Sequence, residues 1–132
     1  MKKNDLKIIL ENFDHRGSVY RGDYCEKEHF LLVEIKQGKI RGGHYHDKKV
    51  HHHVLSGKII YKEILLTKKG NSKKNYKEIK RIMKSGDIVK TPEYAAHLLI
   101  AIEDSIIIET SDENKMTINY QKYRNQIDKK LA

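Results

Sequence analysis

The sequence has one cysteine, one proline and no apolar run near the roughly 20 residues that a membrane span needs. The lone cysteine, Cys25, excludes an internal disulfide and fits a reducing cytoplasm. Its plainest reading is an unreactive thiol. Glycine is sparse at eight residues, so the chain is not of low complexity. The start, Met1-Lys-Lys-Asn-Asp-Leu-Lys-Ile-Ile-Leu10, is basic but carries only a brief apolar patch, which is not the pattern of a signal peptide. No internal repeat and no linker-like stretch interrupts the chain, and one domain over residues 1–132 is expected. Acidic side chains are in deficit, 18 against 27 Lys and Arg, leaving a net charge of +9. That balance favours anionic partners, whether nucleic acid or phosphate-bearing small molecules. Residues 62–81 hold eight basic and two acidic side chains. The aromatic–basic interleaving of a nucleic-acid stacking platform is missing there, so the run reads as a solvated hairpin tip and nucleic acid is not an expected partner.

What is present is a succession of short apolar clusters separated by polar turns. Strands are expected at Leu6–Leu10, Ser18–Arg21, His29–Lys36, Ile40–His46, Val50–Leu55, Lys58–Leu66, Tyr76–Met83, Ile88–Thr91, Ala96–Ile102 and Ser105–Thr110. Many short strands at this spacing predict an all-β sandwich or barrel. Tyr120, Tyr123, Ile127 and Leu131 recur at helical spacing, which predicts an amphipathic helix over about 117–130, packed on the sheet or on a partner subunit.

Five of the eight histidines fall within Arg41-Gly-Gly-His-Tyr-His-Asp-Lys-Lys-Val-His-His-His53. Neutral imidazole is a common metal ligand and titrates near neutrality. Side chains two apart on a strand share a face, so His44 and His46 project together with Tyr45 opposite. Strand parity puts His51 and His53 on one side and His52 on the other. A bulge in Asp47–Lys49 would change which side is inward.

Gly38 lies six before His44, and Gly57 closes the segment. Gly86 lies six before Pro92, which lies five before His97. These spacings resemble the two signature motifs of the cupin superfamily across about residues 38–101. The resemblance implies a small antiparallel jelly-roll barrel whose two motifs face one cavity; with the helix read from the spacing, the expected fold is an all-β jelly-roll barrel with a C-terminal helix. In metal-dependent cupins the ion is held by two first-motif histidines, a glutamate and the second-motif histidine. Here His44, His46 and His97 match, while the glutamate position falls on Val50 or His51. The second-motif glycine is Tyr94 and its asparagine is Ala101. With His51 or His52 as a fourth imidazole, such a set suits Zn, Fe, Ni, Mn or Cu.

Arg41-Gly-Gly-His-Tyr-His46 is similar to the Arg-Gly-x-His-Tyr-Gln segment of dTDP-4-dehydrorhamnose 3,5-epimerases. It also resembles the Arg-Gly-x-His-x-His-Lys segment of dTDP-sugar 3,4-ketoisomerases and the Arg-Gly-x-His-Tyr-His of capsular-polysaccharide cupins. Asp14-His-Arg-Gly17 resembles the Asp-x-Arg-Gly turn before the barrel in those epimerases; as a plain turn, its aspartate would bond its own backbone. The resemblance implies epimerase or ketoisomerase action on a nucleotide-linked 4-keto-6-deoxyhexose, with no cofactor required. His44 matches the proton-transfer base and His46 the second active position. Tyr94 is the candidate proton donor. Arg41, with Lys48 or Lys90, is the candidate for pairing with the diphosphate. Two alternatives stay open: a metal-dependent cupin enzyme using His44, His46, His51 and His97, and a non-catalytic cupin that binds a metal or small ligand. A cytoplasmic homodimer is expected, the dimer from the resemblance and from the aromatic face of the terminal helix.

Overall fold

The computed structural model describes residues 8–25, 28–74, 76–112 and 114–131, with the backbone alone at 23–25, 28–29 and 128–131. Leu6, and the side chains of Cys25, His29 and Leu131, therefore lie outside the described residues. Among the described residues, eleven strands and one helix follow in chain order: β1 (Ile8–Asp14), β2 (Gly17–Cys25), β3 (Glu28–Ile35), β4 (Ile40–His46), β5 (Val50–Ser56), β6 (Lys58–Leu65), β7 (Ile79–Lys84), β8 (Ile88–Thr91), β9 (Ala95–Ala101), β10 (Ser105–Asp112), β11 (Thr117–Asn119) and α1 (Gln121–Leu131). They form two antiparallel sheets, β1-β2-β3-β10-β5-β8 and β11-β4-β9-β6-β7, in the all-β jelly-roll arrangement that the motif spacing implies. Among the described residues no helix is long and apolar enough to cross a membrane.

Period-two alternation decides which side chains meet between the sheets. Val33 and Ile35 on β3, Val54 on β5, Ile59 and Tyr61 on β6, Leu99 on β9 and Ile107 on β10 form the inner core. The other face of the five-stranded sheet carries Ile40, Tyr45, Ala96 and Leu98, covered by Tyr120, Tyr123 and Ile127 from the C-terminal segment. Covered on both faces, β9 reads as a near-continuous apolar run interrupted by one polar side chain, His97. The side of α1 that carries Tyr123 and Ile127 is buried on the chain's own sheet, the first of the two placements expected for it. Among the described residues, exposed large apolar side chains include Ile8, Ile9, Leu10 and Phe13 on β1, Ile82 on β7 and Ile88 on β8.

The expected helix over 117–130 is divided. Thr117–Asn119 pairs with β4, setting Thr117 against His46 and Asn119 against His44, and the helix starts only at Gln121. Thr117 and Ile118 are β-branched and find an open strand edge, which outweighs their place at the start of a helical pattern.

One irregularity sets up the site. Between β4 and β9 the register passes from Gly42 opposite Leu98 directly to His44 opposite His97, so Gly43 is bulged out. Arg41 and His44, three apart, would face opposite ways on an unbroken strand. The bulge puts both on the inner side. Gly42 and Gly43 take φ of 104° and 79°. A Cβ on Gly42 would sit 2.6 Å from the carbonyl oxygen of His97. Gly42→Ala is therefore expected to cost about 2–4 kcal/mol in a urea unfolding curve, from positive φ and collision with rigid backbone together.

Candidate functional site

His44, His46 and His97 come together. His44 and His97 are directly opposite on β4 and β9, and their ring centroids are 4.9 Å apart. His44 and His46 are also 4.9 Å apart, and His46 and His97 are 5.6 Å apart. One ring nitrogen from each lies within 4.8 Å of the others. Two of these rings are held by local bonds. His46 Nδ1 lies 3.2 Å from the carbonyl oxygen of Met116 and 3.0 Å from Thr117 Oγ1, both at the start of β11. His97 Nδ1 lies 3.3 Å from the carbonyl of Ala95. A carbonyl only accepts, so Nδ1 carries the proton in each and Nε2 presents a lone pair. His97 Nε2 is sealed from solvent and has no hydrogen-bond partner.

Burial lowers the pKa of all three rings: His44 below its usual value, His46 to about 4, and His97 well below its usual value. They are neutral at pH 7, the form in which imidazole takes a metal or a proton.

His51 does not belong to this group. On β5 the side chains of Val50, His52 and Val54 point inward, while His51 and His53 lie on the outer face with rings 6.3 Å apart. The inward histidine is His52, fully buried and 5.0 Å from the His97 ring. Its two nitrogens are both engaged: Nε2 is 2.9 Å from Glu109 Oε1, and Nδ1 is 3.0 Å from Thr91 Oγ1. Thr91 continues at 2.7 Å to the Tyr61 hydroxyl, which donates at 2.7 Å to Glu63. A polar chain from Glu109 to Glu63 thus runs through the core with every link bonded, as buried polar groups require. Burial is the largest influence on the Glu109 carboxyl and raises it, but the charge and hydrogen bond of His52, with smaller contributions from His97 and His44, together hold it well below the carboxylate range.

In front of His44 opens a cavity of about 220 Å³. Val33, Ile35, Leu99 and Ile107 form its apolar wall, and Arg16, Arg41, Arg124, His44 and Glu109 supply its polar groups. Arg41 is 8% exposed and donates to the carbonyls of Glu34 (3.1 Å) and Gly17 (2.8 Å), tying β4 to the opposite sheet. The Asp14–Gly17 turn delivers Arg16. Asp14 accepts from the Arg16 backbone at 2.8 Å, as an aspartate turn does, and also pairs with the Arg16 guanidinium. That pairing holds the Asp14 pKa at about 2. Arg41 Nη2 is 3.8 Å from the same carboxylate.

Three expected site residues are elsewhere. Lys48 is exposed in the turn between β4 and β5, and Lys90 is exposed on the outer face of β8 opposite His51; neither lines the cavity. Tyr94 packs on the helix side of the sheet, its ring 6.4 Å from that of Tyr45, not as a proton donor at the cavity mouth. Its φ of 59° is the conformation that glycine adopts freely, and its backbone bonds His46 and Leu66, both at 2.8 Å. The site residues that sequence reasoning missed are Glu109, Arg16 and Arg124. Glu109 carries the clearest signal, a carboxylate two residues from core Ile107 on the same strand face.

No protein-family model matches the sequence, nor does any curated protein. Solved structures do match. Oxalate decarboxylase of Bacillus subtilis, described with Mn(II) centres, superposes with a TM-score of 0.66 at 17% identity, over 87% of this chain and 30% of that one. CapF bound to an inhibitor, 3-isopropenyl-tropolone, gives 0.66 at 17% identity, over 86% and 34%. The capsular polysaccharide assembling protein CapF of Staphylococcus aureus gives 0.64 at 20% identity, over 81% and 30%. The chain thus has the cupin fold and spans about a third of the length of these proteins.

The buried imidazoles make the metal-free protein acid-sensitive. Below pH 6.5 the histidines of the unfolded chain take up protons, while His46 resists until about pH 4. Stability is therefore full above pH 6.5 and declines from there to about pH 4, by about 3 kcal/mol for His46 alone. His44 and His97 act in the same direction. In thermal melts with a chelator present, Tm is expected to fall over this window, and to fall less steeply in His46→Gln.

Proposed function

We propose that the chain is a metal-dependent enzyme of cupin fold, with a divalent transition ion held by His44, His46 and His97 and a small anionic substrate in the adjoining cavity. The observation that carries this reading is the convergence of His44, His46 and His97, one ring nitrogen of each within 4.8 Å of the others, in a group where His97 Nε2 is sealed in the core with no partner. Such a vacancy in hydrogen bonding is costly unless a ligand fills it, and three neutral imidazoles fit an intermediate to soft divalent cation. Oxalate decarboxylase, similar in fold, has Mn(II) centres, which puts manganese beside zinc among the ions to try. When bound, the ion supplies Lewis-acid polarisation of a substrate oxygen. The protein groups do the rest. Arg16, Arg41 and Arg124 attract the anion, and the wall of Val33, Ile35 and Leu99 keeps water from it.

The size of the cavity favours a small substrate. About 220 Å³ is less than the roughly 300–1,000 Å³ of sites that enclose drug-sized ligands. A short acid fits inside, whereas a nucleotide sugar would leave most of its nucleotide outside.

A second reading keeps the nucleotide-linked 4-keto-6-deoxyhexose, with His44 as the base that removes a proton beside the ketone. It is supported by a neutral His44 facing three guanidinium groups and by the likeness to CapF, a capsular polysaccharide assembling protein.

Elemental analysis of protein purified without an affinity tag tests the first reading. About one transition metal per chain is expected, lost in His97→Ala and retained in His51→Ala. A protein that is metal-free as isolated and takes up none of Mn, Zn, Fe, Ni or Cu refutes it. For the second, dTDP- and UDP-4-keto-6-deoxyhexoses are incubated with the protein in deuterated water. Exchange beside the ketone, abolished in His44→Ala, supports it; no exchange at any such carbon retires it.

A further inference from the structure

We infer that Glu109, from β10, is the carboxylate ligand of the ion, in place of the first-motif glutamate that this sequence lacks, and that His52 is the residue that positions it. The inference rests on the metal reading above and extends it to a donor on a different strand.

The first motif offers no carboxylate. Its glutamate position falls on Val50, which is 1% exposed in the core, or on His51, which faces outward. The space beside His97 is nevertheless not without an acid. Glu109 sits directly across from His52 in the β10–β5 ladder. A carboxylate oxygen of Glu109, a ring nitrogen of His52 and one of His97 all lie within 4.8 Å of one another. Glu109 also lines the cavity together with His44. His97 therefore stands between two sets of donors, His44 and His46 on one side and His52 and Glu109 on the other.

The hydrogen bonds separate these donors into ligands and supports. His97 has a single nitrogen to give, since Nδ1 is bonded to Ala95, so only one ion can use it. His52 has none to give. Its Nδ1 is held by Thr91 and its Nε2 by Glu109 Oε1. A carboxylate has two oxygens, so Glu109 can remain on His52 through one and reach the ion through the other. This is the arrangement in which a bonded neighbour fixes the direction and charge of a ligand. Behind His52 the bonds to Thr91, Tyr61 and Glu63 keep its ring from turning. Three neutral imidazoles and one carboxylate leave a divalent ion with a net charge of +1, and an anionic substrate entering past Arg16 and Arg41 completes the balance.

The test is a titration of the full chain, stripped by a chelator, with Zn(II) in competition with a chromophoric chelator. Co(II) absorption serves as a second readout of the ligand set. The wild type is expected to bind one ion. Glu109→Gln, which keeps the shape and still accepts from His52, is expected to bind at least about ten-fold more weakly and to shift the Co(II) spectrum. His52→Leu weakens binding as well, while His52→Gln, which can still donate to Glu109, restores it. Equal affinity and an identical Co(II) spectrum in Glu109→Gln would overturn the inference and leave the metal reading standing. A wild type that binds neither ion overturns both. Should circular dichroism show Glu109→Gln unfolded, Glu109→Asp takes its place: the charge is kept, the reach is one methylene shorter, and unchanged binding is again the overturning result.

Discussion

An imidazole in a closed apolar core must have something for each nitrogen to face, and around His97 that requirement organises the molecule. The ring lies on β9, the strand covered on both sides, and none of it reaches solvent. Its Nδ1 is satisfied two residues back along its own strand. Its Nε2 is not, and the neighbouring rings of His46 and His52 are held in place by bonds from distant parts of the chain. β11 is three residues long, yet it lies beside β4 and fixes His46 through Met116 and Thr117. The Thr91–Tyr61–Glu63 chain crosses the inner core to fix His52. Unpaired, each of these polar groups would cost on the order of 1–3 kcal/mol. Bonded in series, they become a rigid frame about one unbonded lone pair.

Most of the fold was legible because the side-chain alternation of a strand survives in the sequence. Ile40–His46 and Ile88–Thr91 lie where the pattern places them, and the motif spacing picks out His44, His46 and His97 as neighbours. The split of the histidine triplet between two faces was legible, but not which face is inward. Val50 and Val54 prove to be core residues, and His52, midway between them, shares their face, so His52 rather than the expected His51 is the inward one. Tyr94 stands where the second cupin motif has glycine, and its positive φ is the physical reason for that preference. The motif position thus marked a backbone constraint, and the tyrosine there was free to pack against Tyr45 on the helix side. For Glu109 the sequence shows the face, shared with core Ile107, but not the partner. Its partner is 57 residues away, and pairing across β10 and β5 is set by the register of two strands whose neighbours local sequence does not reveal. Arg124 was hidden differently, on the polar side of a helix whose other side carries the periodic signal; its guanidinium reaches the carbonyl of Gly42 at 3.4 Å.

The charged mouth of the cavity depends on two places where the alternation breaks. In β4 the bulge at Gly43 brings Arg41 onto the face of His44. In β1 the register passes from Leu10 opposite Tyr20 to Asn12 opposite Val19, skipping Glu11. Without that skip Asp14 would share the outer face with Ile8 and Leu10. With it, Asp14 joins the face of Val19 and meets both Arg16 and Arg41. Each bulge gives up one ladder position and moves one charged residue inward, leaving the apolar pattern of the following strand in register. Substituting a charge at a regular inward position would instead remove a core side chain, at about 2–5 kcal/mol for an aliphatic residue. A bulge inserts the charge beside the core without emptying it. The guanidinium of Arg41 can therefore be almost wholly buried, bonded to two carbonyls of the opposite sheet, and still form part of the cavity wall. It fastens the two sheets at the point where the cavity opens, so the rigidity of the mouth and its attraction for anions come from the same side chain.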